Sequence, residues 1–304
     1  MARFIVGRIA RGALTLWIVV TCVFVVLRLS GDPAHAMLGP EATPEAIQGF
    51  RLRYGLDDPM PVQYARYIGN VVQGDFGNSL ASDRPATELF MSRVGATVQL
   101  GLSAIAIAVI VGIPLGLLAA VRRNSILDRA AMGLAFIGQS APNFFVGIML
   151  ILLLSLHLNV LPSSGRGSWQ QLVMPALTLA TGLLAILARM SRSSLLEVIR
   201  QDYVRTARAK GLSGRRVIAG HCLRNAAIPV VTIFGMSIGS LIGGAAITET
   251  VFAWPGVGRL TVSAISSRDY PVIQLIVIAV AAAVVIANLA VDITYGLLDP
   301  RIRR

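Results

Sequence analysis

Apolar residues gather into six long runs separated by polar, mostly basic stretches: Gly12–Leu27, Val94–Val121, Ala130–Leu158, Val173–Ala188, Ala226–Thr248 and Val272–Val291. A helix needs about 20 mostly apolar residues to cross the hydrocarbon of a bilayer. Each run therefore predicts a membrane-spanning helix. The first is extended by Arg8, Arg11 and Arg28, whose apolar stems let their charges reach the interface. Val173–Ala188 is the shortest and draws on its flanks. Pro114 and Pro142 fall inside runs, and in lipid such breakers stand only where protein or a water-filled path covers the freed backbone.

Gly31–Arg93, between the first two runs, is too long for a simple loop and too short for a large independent domain. Thr43-Pro44-Glu45 reads as a helix start and Asp57-Asp58-Pro59 as a turn, so a small, mostly helical cap is expected. Ala34-His35-Ala36 has the form of a signal-peptide cleavage triplet. The apolar run before it is slightly long for a signal peptide and ends on Arg28, so a retained helix is the reading adopted.

Basic residues orient the runs. Arg3, Arg8 and Arg11 precede the first, and Arg122, Arg123 and Arg129 follow the second. Arg192, Arg200, Arg205, Arg208, Lys210, Arg215, Arg216 and Arg224 follow the fourth, and Arg301, Arg303 and Arg304 follow the sixth. With the N-terminus inside, all four groups fall on the cytoplasmic side. In Gly31–Arg93, on the opposite side, Arg51, Arg53, Arg66 and Arg84 are offset by Glu41, Glu45, Asp57, Asp58, Asp75, Asp83 and Glu88. The expected segments are an anchoring helix over 1–30, an external helical segment over 31–93, a core over 94–298 and a cytoplasmic tail over 299–304.

The six runs make the expected fold all-α, and composition agrees with a lipid-embedded protein. Charged residues make up 14% of the chain, against about 25% in soluble domains, and mean hydropathy is +0.71. A net charge of +12 on a soluble chain would suggest nucleic acid. Here the basic residues lie between apolar runs, and 6% aromatics leave little with which to stack bases.

Candidate chemistry is sparse. Cys22 and Cys222 make no disulfide framework, and His35, His157 and His221 have no metal-ligand spacing. The one lysine, Lys210, stands between Ala209 and Gly211, so a Gly-Lys-Ser/Thr phosphate loop is excluded. Neither G-x-S-x-G nor H-E-x-x-H occurs, and no catalytic constellation is expected. Ionisable residues at the spans are Arg28, Arg189, Glu249 and Asp292, all near span ends and within reach of the interface. No carboxylate occupies a predicted midplane. That weakens a secondary carrier or channel, the alternative reading, and a scaffold or enzyme subunit is weaker still. The energy source is expected outside this chain.

The most informative stretch is DYVRTARAKG, Asp202 to Gly211, with HCLRNAAIPV at 221–230. Glu197 to Ile199 should continue the fourth span's helix into the cytoplasm. Ala207, Ala209 and Gly211 are small, which lets another chain come close, and Gly211 suits a helix C-terminus. Ser213 suits the N-cap of a short second helix over Arg215–Leu223, and Pro229 a break before the fifth span. The prediction is helix, tight turn, short helix, then membrane, forming a surface on which a cytoplasmic motor docks.

This stretch resembles the EAA loop of ABC importer permeases, in the form found in the oligopeptide, dipeptide and nickel subfamily. Arg205-Thr206-Ala207 take the E-A-A positions, followed by Ala209, Lys210, Gly211, Leu212 and Ser213, with Arg215 and Arg224 beyond. The general motif's glutamate and proline are missing, the latter from His221-Cys222-Leu223-Arg224. The subfamily's form, D-Y-V-R-T-A-x-A-K-G-L then L-R-N-A-x-I-P-V, is matched almost throughout. Gly31-Asp32-Pro33, Tyr54-Gly55-Leu56-Asp57-Asp58-Pro59, Gln63-Tyr64 and Gly74-Asp75-Phe76-Gly77 are similar to its external signatures. Glu249-Thr250-Val251-Phe252 with Pro255-Gly256-Val257-Gly258 resembles its E-x-x-F…P-G-x-G segment, and Asp299-Pro300-Arg301-Ile302-Arg303 its C-terminal D-P-R.

The resemblance implies a six-helix, type I ABC importer permease fold with a cytoplasmic coupling helix. The long external segment points to the "B" type of the subfamily's two permeases. It implies a non-catalytic subunit of the bacterial inner membrane, with both termini cytoplasmic. Its coupling loop, 191–229, would meet one of two ATPase subunits, which bind the ATP and Mg; this chain itself would hold no cofactor. The other implied partners are a second, "C"-type permease and an external substrate-binding protein. Subfamily solutes include di- and oligopeptides, glutathione, nickel chelates and opines, and peptide is the expectation here.

Overall fold

The computed structural model describes residues 2–29 and 42–298, with Ala34, Leu38 and Gly39 between them. Gly31-Asp32-Pro33, most of the Ala34-His35-Ala36 triplet and the D-P-R tail lie outside the described residues. Every regular element among those described is helical. Among the described residues, four helices are long and apolar enough to cross a membrane, or five if one bent pair is a single span. The fifth predicted run, Ala226–Thr248, falls inside a further helix of 29 residues, Leu223–Val251.

Two compact units emerge, one taking in Met1–Gly95 and Gly256–Leu289, the other built on Ala96–Pro255. In the first unit, α1 (Ala2–Leu29) meets α3 (Met60–Gln73). Thr21 and Tyr64 hydroxyls share a 2.7 Å hydrogen bond, and Phe24 lies edge-on to Tyr64 at 5.3 Å. The small helix α2 (Pro44–Tyr54) starts where the sequence says it should. Thr43 accepts from the Ala46 N–H, and Gly55 ends the helix at φ +58°. α3 ends the same way, on Gly74 at φ +74°.

The loop after Gly74 explains a sequence signature. The Asp75 carboxylate accepts from the Gly77 N–H at 2.9 Å, turning the chain. This brings Ser79 to donate at 2.5 Å to Asp269, whose second oxygen accepts from the Leu80 N–H at 3.2 Å. Asp269 is itself placed between α12 (Val257–Ser266) and α13 (Tyr270–Leu298). Beside it, Ala86, Val257, Ala264, Val272 and Ile276 form the unit's apolar core.

The second unit is organised around α8 (Trp169–Ile199), most of whose residues from Met174 to Leu195 are buried. Against it run residues 96–121, the part within this unit of a 36-residue helical stretch, Ala86–Val121. It comprises α4 (Ala86–Ile107), a π-turn at Ala108–Gly112 and α5 (Ile113–Val121). Pro114 does not break it, because the π-turn just upstream shifts the hydrogen-bond ladder that the proline interrupts. The two helices touch through their backbones: a Cβ on Gly116 would stand 2.1 Å from the Ala188 carbonyl oxygen, and one on Gly112 2.8 Å from that of Leu184. Only glycine permits that approach.

The third run departs from expectation. Ala130–Leu158 is not one straight span but two helices bent by 110°. They are α6 (Ile126–Ser140) and α7 (Asn143–Leu150), the latter continued by a π-turn at Ile151–His157. The cause is Pro142. It cannot continue the ladder, and it forces Ala141 into an extended conformation with ψ 129°.

Candidate functional site

After α8 the chain makes a short turn at Arg200-Gln201 and enters α9 (Asp202–Ala209). Asp202 in the first turn and Arg208 in the last complement the helix dipole. Val204 and Ala207 are buried, packed with Leu195, Val217, Cys222 and Ala226. The opposite face, with Arg205, Thr206, Arg208, Ala209 and Lys210, is exposed. Arg205 and Asp202 lie 3.7 Å apart but are so exposed that the pair adds little stability.

The helix closes with a double hydrogen bond: the Gly211 N–H donates to Arg208 O at 2.9 Å and the Leu212 N–H to Ala207 O at 3.4 Å. Gly211 takes φ +81°, and the space where its Cβ would lie is open. Leu212 packs back onto the core that holds Ala207. Ser213 precedes α10 (Gly214–Val217), and its carbonyl accepts from the Val217 N–H at 3.0 Å.

Here a second expectation fails. α10 does not end before the membrane helix. It runs through a π-turn at Ile218–Cys222 directly into α11 (Leu223–Val251), with Pro229 inside that helix. One proline deletes one N–H, and Ala226 and Val230 on either side are buried in two cores, so packing holds the helix together. Arg224 is exposed on the first turn of α11, and Asn225 donates to the Tyr203 hydroxyl at 2.8 Å, tying α11 to α9. Of Arg215, the backbone belongs to α10. Burial pushes the Cys222 thiol up, a neighbouring Arg208 only partly opposing it.

Near this loop lies a pair the sequence did not reveal. Arg192 on α8 makes a two-pronged bond to Asp128 in the first turn of α6, at 2.6 and 2.9 Å. Asp128 is 2% exposed. Its carboxylate also accepts from the Asn124 N–H, and its own N–H caps onto Ser125. The one available signal was Ser125-x-x-Asp128, the form of a helix cap. Arg192 reads in sequence as one more basic loop residue.

A second polar cluster joins the other end of α11 to α4. Glu249 is fully buried, where the sequence reading put it within reach of the interface, and it accepts from the Thr97 hydroxyl at 2.6 Å. Ala253 turns the chain at φ +49°, and the Trp254 N–H closes onto Glu249 O at 2.8 Å. The buried Trp254 indole donates to Ala96 O at 2.9 Å. Phe252 packs where a Cβ on Gly147 would meet it at 3.1 Å. Above this cluster, Arg166 donates twice to Gln99 Oε1, at 3.0 and 2.9 Å, and lies 5.8 Å from the Trp254 ring centre.

Among the described residues every regular element is helical and several helices are long and apolar enough to cross a bilayer, which is the architecture of a polytopic membrane protein. A family described as "Binding-protein-dependent transport system inner membrane component" matches residues 112–304, and one described as "Binding-prot-dependent transport system membrane comp, N-term" matches residues 1–101. The dipeptide transport system permease protein DppB of Escherichia coli (strain K12) is 45% identical over 307 residues, covering 90% of this chain and 91% of the relative. The glutathione transport system permease protein GsiC of Salmonella paratyphi A (strain ATCC 9150 / SARB42) is 44% identical, covering 100% of this chain and 99% of the relative. Among solved structures, an inward-facing MetNI methionine ABC transporter matches with TM-score 0.57 at 20% identity, over 70% of this chain and 97% of that one. An amino acid ABC transporter matches with TM-score 0.52 at 17% identity, over 71% of this chain and 94% of that one. The chain belongs to the family of binding-protein-dependent transport system inner membrane components. It is the non-catalytic, membrane-spanning part of such a system, with the fold of an ABC importer permease.

Proposed function

We propose that the chain forms half of the membrane path of an ATP-driven importer for di- or oligopeptides or related small solutes, and that its 191–229 loop docks a partner ATPase. The observation that carries this is the construction of the loop. α9 is anchored by Val204 and Ala207 and presents Arg205, Thr206, Ala209, Lys210 and Gly211 outward. Leu212 and Ser213 then lead into a helix that continues unbroken from Gly214 to Val251. A displacement of α9 by a partner is therefore carried into α11 through packed side chains, with no slack joint between. Peptide as the solute is supported by likeness to the dipeptide and glutathione permeases.

The full assembly in this reading adds a second, "C"-type permease, two ATPases that bind ATP and Mg, and an external binding protein. The membrane is the bacterial inner membrane, with both termini and the 191–229 loop inside. The anchor over 1–30, the external segment over 31–93, the core over 94–298 and the tail over 299–304 belong to the same proposal. Uptake of a dipeptide into proteoliposomes, with subunits omitted one at a time, tests it. ATP-driven uptake should need every subunit. Uptake by this chain alone, driven by a proton or sodium gradient, would overturn the reading in favour of a carrier.

A further inference from the structure

We propose that Arg166 is the receptor for a carboxylate group of the transported solute, an inference that rests on the importer reading above. Arg166 stands in the loop between the π-turn Ile151–His157 and α8, and three contacts fix it. The preceding residue is pinned by the Gly165 N–H on Phe252 O at 3.1 Å. One edge of the guanidinium, Nε and a terminal nitrogen, is held on Gln99 Oε1 at 3.0 and 2.9 Å. Its charge faces the ring of Trp254, itself buried and locked on Ala96 O.

No carboxylate among the described residues lies within ion-pair distance of Arg166. The nearby acid, Glu249, is buried and accepts from Thr97 instead. The guanidinium carries five N–H donors, and Gln99 takes two. The rest include the fork between the two terminal nitrogens, the geometry that receives a carboxylate through two parallel bonds. A neutral amide and an aromatic face orient the group without neutralising it, so its charge stays available.

Location selects the occupant. Gln99 lies inside the predicted span Val94–Val121, on an exposed face of α4. By helical rise Gln99 stands about 33 Å from Val121, the last residue before the cytoplasmic Arg122-Arg123, against a hydrocarbon thickness of about 30 Å, so the amide and the guanidinium sit at the outer mouth of the path. Gln99 turns the guanidinium from its loop toward α4, at the mouth through which a solute enters from outside. What passes there is the solute. A dipeptide and glutathione each carry a carboxylate.

The test uses the whole transporter reconstituted with its binding protein. Uptake of alanyl-alanine and of its C-terminal amide is followed over a range of binding-protein concentrations. Arg166→Gln should shrink the preference for the acid over the amide by about tenfold or more, the scale of one lost charge-assisted bond. The half-saturating concentration of binding protein should stay the same. Arg166→Lys, keeping the charge but not the fork, should fall between. An unchanged preference in Arg166→Gln overturns the proposal. If that variant does not assemble, the same preference is read in Arg166→Lys, where no change overturns it equally. A raised half-saturating concentration with unchanged preference assigns Arg166 to an acid on the binding protein and overturns it too. If the unaltered transporter shows no ATP-driven uptake of alanyl-alanine, it is the peptide-importer reading that fails, a separate result from any seen in the variants.

Discussion

Arg192 and Asp128 form a bidentate ion pair that fastens the first turn of α6 to the far end of α8. The two partners are not equally buried: the Asp128 side chain is 3% exposed and that of Arg192 26%. That asymmetry decides what each deletion does. Arg192→Ala strands a buried carboxylate that keeps the Asn124 N–H and the charge of Arg123 but loses both charge-assisted hydrogen bonds. It should cost about 3 kcal/mol, the scale of a broken buried pair. Asp128→Ala leaves an arginine that can swing to water, and should cost less. Thermal unfolding of the two variants in detergent checks the order. Equal losses would mean the pair is solvated in the assembled protein.

Gly211 separates backbone from contact. Its φ of +81° strains any other residue, yet nothing stands where a Cβ would go. Gly211→Val should therefore leave the chain inserted in the membrane while costing roughly 1–2 kcal/mol at the turn. ATP-driven uptake should fall. Asn tolerates the left-handed region better, so Gly211→Asn keeps the turn and adds only a side chain at the surface. Uptake lost in both variants places the partner against Gly211 itself. Normal uptake in both, with hydrolysis still coupled, would count against docking there.

Gly116 and Gly101 sit on the same helical stretch and should respond oppositely to alanine. At Gly116 the new Cβ would overlap the Ala188 carbonyl oxygen at 2.1 Å, whereas at Gly101 it meets nothing within 4 Å. Gly116→Ala must push α5 off α8, at a cost of about 1–3 kcal/mol or more. Gly101→Ala should be neutral or slightly stabilising. Expression level and melting temperature of the two variants, side by side, read the difference.

What could be read in the sequence follows from what each feature depends on. Span positions depend on local apolarity, and the helix start at Thr43 and the end at Gly211 on local backbone chemistry; all of these are visible along the chain. The bend at Ala141-Pro142 was half visible: the proline was noted, but whether it kinks or is absorbed is decided by packing. Pro114 and Pro229 are absorbed, while Pro142 is not. Pairs distant in sequence were invisible. Nothing local tells that Ser79 meets Asp269, that Arg192 meets Asp128, or that Arg166 is held by Gln99 rather than by an acid. Glu249 was recognised within a signature, but its burial against Thr97 needed α4 and α11 side by side.

Ser82 reports on membrane orientation. It is exposed in the loop after Gly77, its hydroxyl resting on Ser79 Oγ at 3.0 Å, so a thiol replaces it with little disturbance. Native thiols give little background. Cys222 is buried with its pKa raised, so it offers little thiolate. Cys22 lies in α1, within the first predicted span, where an impermeant aqueous reagent does not reach. On cells with a permeabilised outer membrane and an intact inner one, Ser82→Cys should label at once with such a reagent, and the unaltered chain should not. A thiol at Ser213, just past the Gly211 turn and exposed, should label only after the inner membrane is broken. The reverse pattern would invert the orientation drawn from the arginines, and with it would move the 191–229 loop away from any cytoplasmic ATPase.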